Sequence, residues 1–182
     1  MKVGGGLLKC LADLDRVLAT IASAALERRL LLLPGGGPFA DAVRAADAQL
    51  HLSDDAAHWM AILAMDQYAH VLADRLQGSV LVVDPGEIAA AFDAGQIPIL
   101  APSRWLRHAD PLPHSWDVTS DSIAAWIAGA VGARRLVLIK PSGASGADLV
   151  DPHFRHALPA DVSSDVVAAD RVEALASALD GG

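Results

Sequence analysis

A chain of 182 residues, 53% apolar and 20% charged, is long enough to bury a core and too apolar to stay disordered. Its net charge of −8 argues against nucleic acid or an anionic membrane as partner, because both require a basic face, while an anionic small substrate needs only a local positive site. The lone Cys10 excludes an internal disulfide and fits a reducing cytoplasm; no secretory leader is expected at residues 1–6, and no apolar run reaches the ~20 residues of a membrane span.

Residues 1–3 are predicted as a short buried strand before the run Gly4, Gly5, Gly6. Residues 11–27 have helical spacing. Residues 29–33 carry a continuous apolar run stopped by Pro34, as a buried parallel strand should, and Gly35, Gly36, Gly37 follow. Residues 39–49 read as a helix. Ser53, Asp54 and Asp55 suit a helix start, and residues 56–76 continue without Gly or Pro. A strand at 79–83, a short helix at 88–94 and a strand at 97–100 come next. Residues 102–116 form a Pro- and His-rich loop, 120–131 a helix, 136–139 a strand and 141–151 a loop. A last strand at 166–168 precedes a helix at 171–179.

Strands alternate with helices from end to end, which predicts one α/β domain over 1–182, its parallel sheet covered on both faces. Such sheets bind ligands beyond the C-terminal ends of their strands, and both glycine runs fall at that edge. Residues without Cβ let backbone N–H groups approach an anion, and a helix N-terminus adds partial positive charge. Gly35–Gly37 therefore suit a phosphate cradle. A tight turn with close helix packing is the better account of one such run alone, two runs at one edge shift the balance, and neither run fits the P-loop or dinucleotide fingerprint.

The chain has eleven arginines and three lysines: Lys2, Lys9 and Lys140. Lys2 lies in the first predicted strand and Lys140 ends a later one, so both are placed at the glycine rim. A compact ammonium suits a transferring phosphoryl group. Asp117, Thr119, Ser120 and Asp121 cluster before the helix at 120–131. An Asp there can orient two lysines or hold Mg²⁺ through water.

"KVGGG" at the start, "PGGGPFAD" after the second strand and "TSDSIAAWIA" opening a later helix together resemble the amino acid kinase superfamily over residues 1–155. The resemblance implies a three-layer αβα sandwich with a mainly parallel sheet, and transfer of the γ-phosphoryl of MgATP without a covalent enzyme intermediate. It implies Lys2 as the catalytic lysine, Asp121 as the organiser of the catalytic lysines, and Gly4–Gly6 with Gly35–Gly37 as the hold on ATP phosphates and acceptor. It places Asp117 and Ser120 beside the acceptor, and puts Ser142, Gly143, Asp148, Asp151 and Phe154 on the nucleotide side. The GGM-x-x-K segment that carries a second lysine in many members is absent from this sequence, so Lys140 is expected in that role. "DPLPHSWDVTSDSIAAW" is most similar to a short subgroup, the kinases of aminomethylfuran-methyl phosphate, which make a diphosphate intermediate of methanofuran-type cofactors. The implied acceptor is a phosphate monoester with an ammonium group. Arg104, Arg107 and His114 are the expected phosphate contacts, and Asp117 or Asp66 the expected amine contacts. A carboxylate kinase and a non-catalytic nucleotide- or anion-binding protein on the same fold stand as alternatives.

None of the seven histidines forms H-E-x-x-H and one cysteine supplies no thiolate set, so no metal site is expected. Residues 56–65 are apolar nearly all round, with Trp59, Met60, Ile62, Leu63 and Met65. One face of that helix is expected on the sheet and the other on a second copy, as a homodimer.

Overall fold

The computed structural model describes residues 1–145 and 149–180; Asp148, expected at the nucleotide, lies outside them. The strands β1 (Lys2–Val3), β2 (Leu33–Pro34), β5 (Arg135–Lys140) and β6 (Ser163–Ala168) form a parallel sheet in the order β2-β1-β5-β6. The parallel pair β3 (Ser79–Val82) and β4 (Ile97–Leu100) extends it. Leu32 N donates to Pro98 O at 3.0 Å and Leu32 O accepts from Leu100 N at 2.9 Å, so β4 lies beside β2 and the spatial order is β3-β4-β2-β1-β5-β6.

A 3-10 turn covers Gly5–Lys9, and the eight α-helices of the described residues are α1 (Leu11–Ala25), α2 (Gly37–Leu50), α3 (Asp54–Arg75), α4 (Pro85–Asp93), α5 (Ser103–Ala109), α6 (Ser120–Ala130), α7 (Phe154–Ala157) and α8 (Val172–Asp180). They divide the core in two. On one face of the sheet Val3, Val137 and Ile139 pack under Leu14, Val17 and Ile21 of α1 and Leu175 of α8. On the other Leu33, Leu136 and Leu138 pack under Ile88 of α4, Leu106 of α5 and Ile123 of α6. Alternation of side chains along each strand produces this division. The long helix α3 serves both layers, through Tyr68 and Leu72 on one and Ile62 and Met65 on the other.

Two expectations need correction. The strand expected at 29–33 is regular only at Leu33–Pro34, preceded by a single bridge from Leu32 to Ile99. The expected loop at 102–116 contains α5. Its N-terminus is capped from outside: Asp66 of α3 accepts from Ser103 N at 3.1 Å and from the Ser103 hydroxyl. Asp66 is therefore spent on this cap and not on an amine. The helix at 56–65 has the two apolar faces expected of it: Ile62 and Met65 are core, and Met60 and Leu63 face outward, 37% and 48% exposed.

The glycine runs meet backbone to backbone. A Cβ on Gly35 would fall 2.6 Å from Gly5 N, and one on Gly37 2.7 Å from Gly5 O; a Cβ on Gly5 would come closer still to Gly37 N. Gly37 also has φ +55°, the left-handed region that favours glycine. Gly5→Ala is expected to cost about 3 kcal/mol or more, the upper range for overpacking, because the opposing atoms are backbone and cannot rotate away. Thermal unfolding checks this, and a melting point equal to wild type would refute it.

Candidate active site

Register assembles the charged centre. Lys2 pairs with Leu138, and Lys140 lies two residues beyond on the same strand. Lys2, Leu138 and Lys140 thus share one face of the sheet, the face that α6 covers. The first turn of α6 carries Asp121. Its Oδ1 lies 3.0 Å from Lys2 Nζ, and its Oδ2 accepts from Lys140 Nζ at 2.6 Å. The Oδ1 contact is off the hydrogen-bonding direction, so that oxygen is held by charge alone among the described residues. Lys2 and Asp121 are buried; Lys140 is the more open end of the row. Burial pushes the Lys2 ammonium below its ordinary value, opposed by the Asp121 charge. Burial alone would raise Asp121, but the Lys2 and Lys140 charges outweigh it and hold the carboxyl below its usual range. Two ammoniums on one carboxylate leave a net positive centre at the C-terminal edge of the sheet.

Beside it opens a cleft of about 240 Å³. Its glycine wall is Gly5, Gly6, Gly36 and Gly37, facing Thr119 and Ser120 at the start of α6. The N-terminal ends of α2 and α6 therefore turn partial positive charge toward it. Ala57, Ala61, Ile62 and Met65 of α3 give an apolar floor, and Trp116 and His58 stand at its sides. The cations of the lining are Lys9 and Arg44. Both approach Asp41, at 3.3 and 3.4 Å, and the Arg44 guanidinium lies 4.7 Å over the Trp116 ring. Trp116 is fixed in turn by its indole N–H, which donates to Asp47 Oδ2 at 2.7 Å.

The structure sorts the residues expected from sequence. Lys2, Asp121 and Lys140 come together. Gly5, Gly6, Gly36, Gly37 and Ser120 line the cleft. Gly4 and Gly35 lie behind it, where a Cβ would meet Ile139 O and Gly5 N; they allow close packing and touch no cleft surface. Arg104 and Arg107 are outside the lining. Arg107 instead stacks over Trp59, 4.4 Å from the ring centre, and Arg104 is exposed on α5. Asp117 is exposed beside the lining residues Trp116 and Val118. Phe154 is a core residue, packed with the α6 layer, and not a nucleotide contact. Ser142 donates to Asp13 Oδ2 at 2.5 Å, a bond that holds Asp13 below its ordinary value. Gly143 occupies a positive-φ turn in the same loop. Asp151 accepts from Thr119 N, Thr119 Oγ, Ser122 N and Ser122 Oγ, which ties its carboxylate to the start of α6.

His114 contacts Asp55 through Nδ1 and Asp110 through Nε2, each at 2.9 Å, and stacks on His58 with ring centres 4.0 Å apart and planes 16° apart. One ligand atom from each of His58, Asp110 and His114 lies within 4.8 Å of the others, so these side chains could hold a metal ion, which was not expected from the sequence. Burial first, then the neighbouring His114, pushes His58 down to about 4, leaving it a neutral wall of the cleft.

Arg44, Lys9, Trp116 and His58 were not singled out from sequence as cleft residues. The α2 spacing carried a signal for Arg44: it is seven residues from Gly37, two turns along the helix that starts at the glycine wall.

A parallel sheet with a glycine-walled cleft and a Lys–Asp–Lys row at its C-terminal edge defines an α/β phosphate-handling fold, and the comparisons name its family. The pattern of the Amino acid kinase family matches residues 1–142, and the chain belongs to that family. It is 31% identical over 141 residues to the [5-(aminomethyl)furan-3-yl]methyl phosphate kinase of Methanocaldococcus jannaschii, a match covering 76% of this chain and 63% of that one. The matched part is thus less than two thirds of the length of that relative. Among solved structures, the UMP kinase from Ureaplasma parvum superposes with a TM-score of 0.74 over 99% of this chain and 93% of that one, at 14% identity. The uridylate kinase from Archaeoglobus fulgidus superposes with a TM-score of 0.58 over 79% of this chain and 62% of that one, at 20% identity. These likenesses fit the parallel sheet between helical layers found here.

Proposed function

We propose that this chain is a single-domain, ATP-dependent phosphotransferase that moves the γ-phosphoryl group of ATP to a small phosphate monoester. The observation that carries the reading is the buried Lys2–Asp121–Lys140 row set against the glycine-walled cleft. Phosphoryl transfer asks a protein chiefly for alignment and for positive charge where the equatorial oxygens gather negative charge. Lys2 and Lys140 supply that charge, and Asp121 fixes both ammoniums before substrate arrives. Mg²⁺ would neutralise nucleotide phosphate charge; Asp121 and Asp151 are engaged by protein partners, so the phosphate oxygens themselves would carry the ion.

The acceptor phosphate belongs at the glycine wall with Lys9 and Arg44, and its organic part on the apolar floor between Trp116 and His58. The floor suits a small flat ring, and Asp41 and Asp54 of the lining suit an attached ammonium. [5-(Aminomethyl)furan-3-yl]methyl phosphate, the substrate in the name of the Methanocaldococcus relative, combines these parts. An ADP-release assay with MgATP tests the reading against that compound, UMP, isopentenyl phosphate, glutamate and aspartate. Faster turnover of a carboxylate than of any phosphate monoester would return the protein to the carboxylate kinases. No turnover, with ADP still binding in a calorimeter, would leave a nucleotide-binding protein.

Arg44→Ala is expected to raise KM for the acceptor about 10- to 100-fold, the worth of one charge-assisted hydrogen bond, with KM for ATP unchanged. Arg104→Ala, outside the cleft, is the control and leaves both constants alone. Equal effects of the two substitutions would refute the assignment.

The outward α3 residues Met60 and Leu63 are the proposed seam of a homodimer. Leu63→Arg is expected to turn a dimer into a monomer by light scattering, and a monomeric wild type at micromolar concentration would overturn this. Among the described residues no helix is long and apolar enough to cross a membrane; the proposed ATP-dependent role fits a cytoplasmic protein.

A further inference from the structure

Asp151 lies 29 residues beyond Ser122 in sequence, yet its carboxylate takes four hydrogen bonds from the start of α6. Oδ2 accepts from Thr119 N at 2.9 Å, Thr119 Oγ at 2.7 Å and Ser122 N at 3.0 Å, and Oδ1 accepts from the Ser122 hydroxyl. A carboxylate offers roughly four lone-pair sites, so little capacity is left for a ribose or phosphate donor. The turn it grips is the one that bears Asp121. The same loop is tied a second time, by His153 N donating to Asp117 O at 3.3 Å.

We propose that Asp151 is a positioning residue for phosphoryl transfer: it clamps the first turn of α6 so that Asp121 gives one oxygen to each of Lys2 and Lys140, and its own charge stands behind that turn as a second, more distant anion. The proposal rests on the kinase reading above. Without the clamp, the first turn of α6 keeps only the Thr119 hydroxyl as a side-chain cap, at 3.5 Å from Asp121 N. Asp121 would then lose its fixed bearing on both lysines. The charge also acts at a distance, since Asp151 favours the protonated form of Lys2.

Asp151→Asn in the full chain tests this. Its amide keeps the size, removes the charge and turns a donor toward the donors of Thr119 and Ser122. The expected result is a fall in kcat of about 10- to 100-fold, as for other supporting partners of a reacting centre, with KM for ATP and affinity for ADP unchanged. The chain has only three lysines, so ¹⁵N NMR of their Nζ groups follows each one. Lys2 should lose its proton at lower pH in the variant than in wild type. A raised KM for ATP at unchanged kcat would make Asp151 a nucleotide ligand and overturn the proposal. A lower kcat with an unmoved Lys2 titration would reduce it to a structural cap and overturn it equally. If circular dichroism shows that Asp151→Asn does not fold, Ser122→Ala removes a single donor; it should lower kcat at constant KM, and a folded Ser122→Ala with wild-type kcat refutes the clamp. A wild type without phosphoryl transfer would sink the kinase reading instead, and the Lys2 titration would still decide whether Asp151 sets the state of the lysine.

Discussion

Lys2→Met is expected to lower kcat by about 10³-fold while the protein stays folded and nucleotide affinity changes little. The ammonium sits 3.0 Å from Asp121 and is buried, so water cannot replace it. What is lost is charge opposite the phosphoryl oxygens, needed most in the transition state; a 10³-fold loss corresponds to about 4 kcal/mol of transition-state stabilisation. Folding should survive for two reasons. Methionine fills the space of the lysine stem, and Asp121 keeps Lys140 at 2.6 Å, so no buried charge is left alone. The substitution also removes an ammonium that burial already disfavours. Steady-state kinetics with a thermal melt check both halves. A kcat within ~10-fold of wild type, about 1.4 kcal/mol, would show that Lys2 takes no part in transfer.

The Lys2–Asp121–Lys140 row was legible because its parts are local signals. A lysine in a three-residue strand, a lysine ending an apolar strand and an aspartate in a first helical turn can each be read alone, and parallel pairing brings them to one edge. The order of strands and helices was legible for the same reason, from the alternation of apolar runs and helical spacing. The failures share a different cause. α5 is capped by Asp66 from 37 residues away, and α6 by Asp151 from beyond β5. No local pattern announces such partners, so α5 reads as a loop, and nothing near Asp151 in sequence marks it as a partner of Thr119 and Ser122. Arg104 and Arg107 look like phosphate contacts while 102–116 is taken as a loop. Once α5 forms, it directs Arg107 onto Trp59, and the cations of the cleft come from Arg44 and Lys9 instead. The glycine runs were half read. Gly5, Gly6, Gly36 and Gly37 line the cleft as a phosphate cradle requires, whereas Gly4 and Gly35 answer to close packing.

Asp121→Ala is expected to be the most damaging single change, because it strikes stability and transfer together. It takes away the one carboxylate that touches both Lys2 and Lys140 in the closed end of the site, and breaking one partner out of a buried ion set costs about 3–5 kcal/mol. At 2–4 °C per kcal/mol for a chain of this size, the melting temperature should fall by about 6–20 °C. Deprotonation of Lys2 limits the loss, since burial already pushes that ammonium down and its removal leaves a neutral amine. The variant should therefore be less damaged at high pH, where Lys2 gives up its proton without cost, than at neutral pH. Removing the whole set separates charge from shape. Lys2→Met, Asp121→Leu and Lys140→Met combined leave no uncompensated charge, and replacing a buried ionic set by apolar groups is often neutral or stabilising. The triple variant should melt above Asp121→Ala while showing no transfer at all. Were Asp121→Ala to melt within about 1 kcal/mol of wild type at neutral pH, the two ammoniums would have water or another anion beside them, and the picture of Asp121 as the sole charge that bridges both lysines would fall.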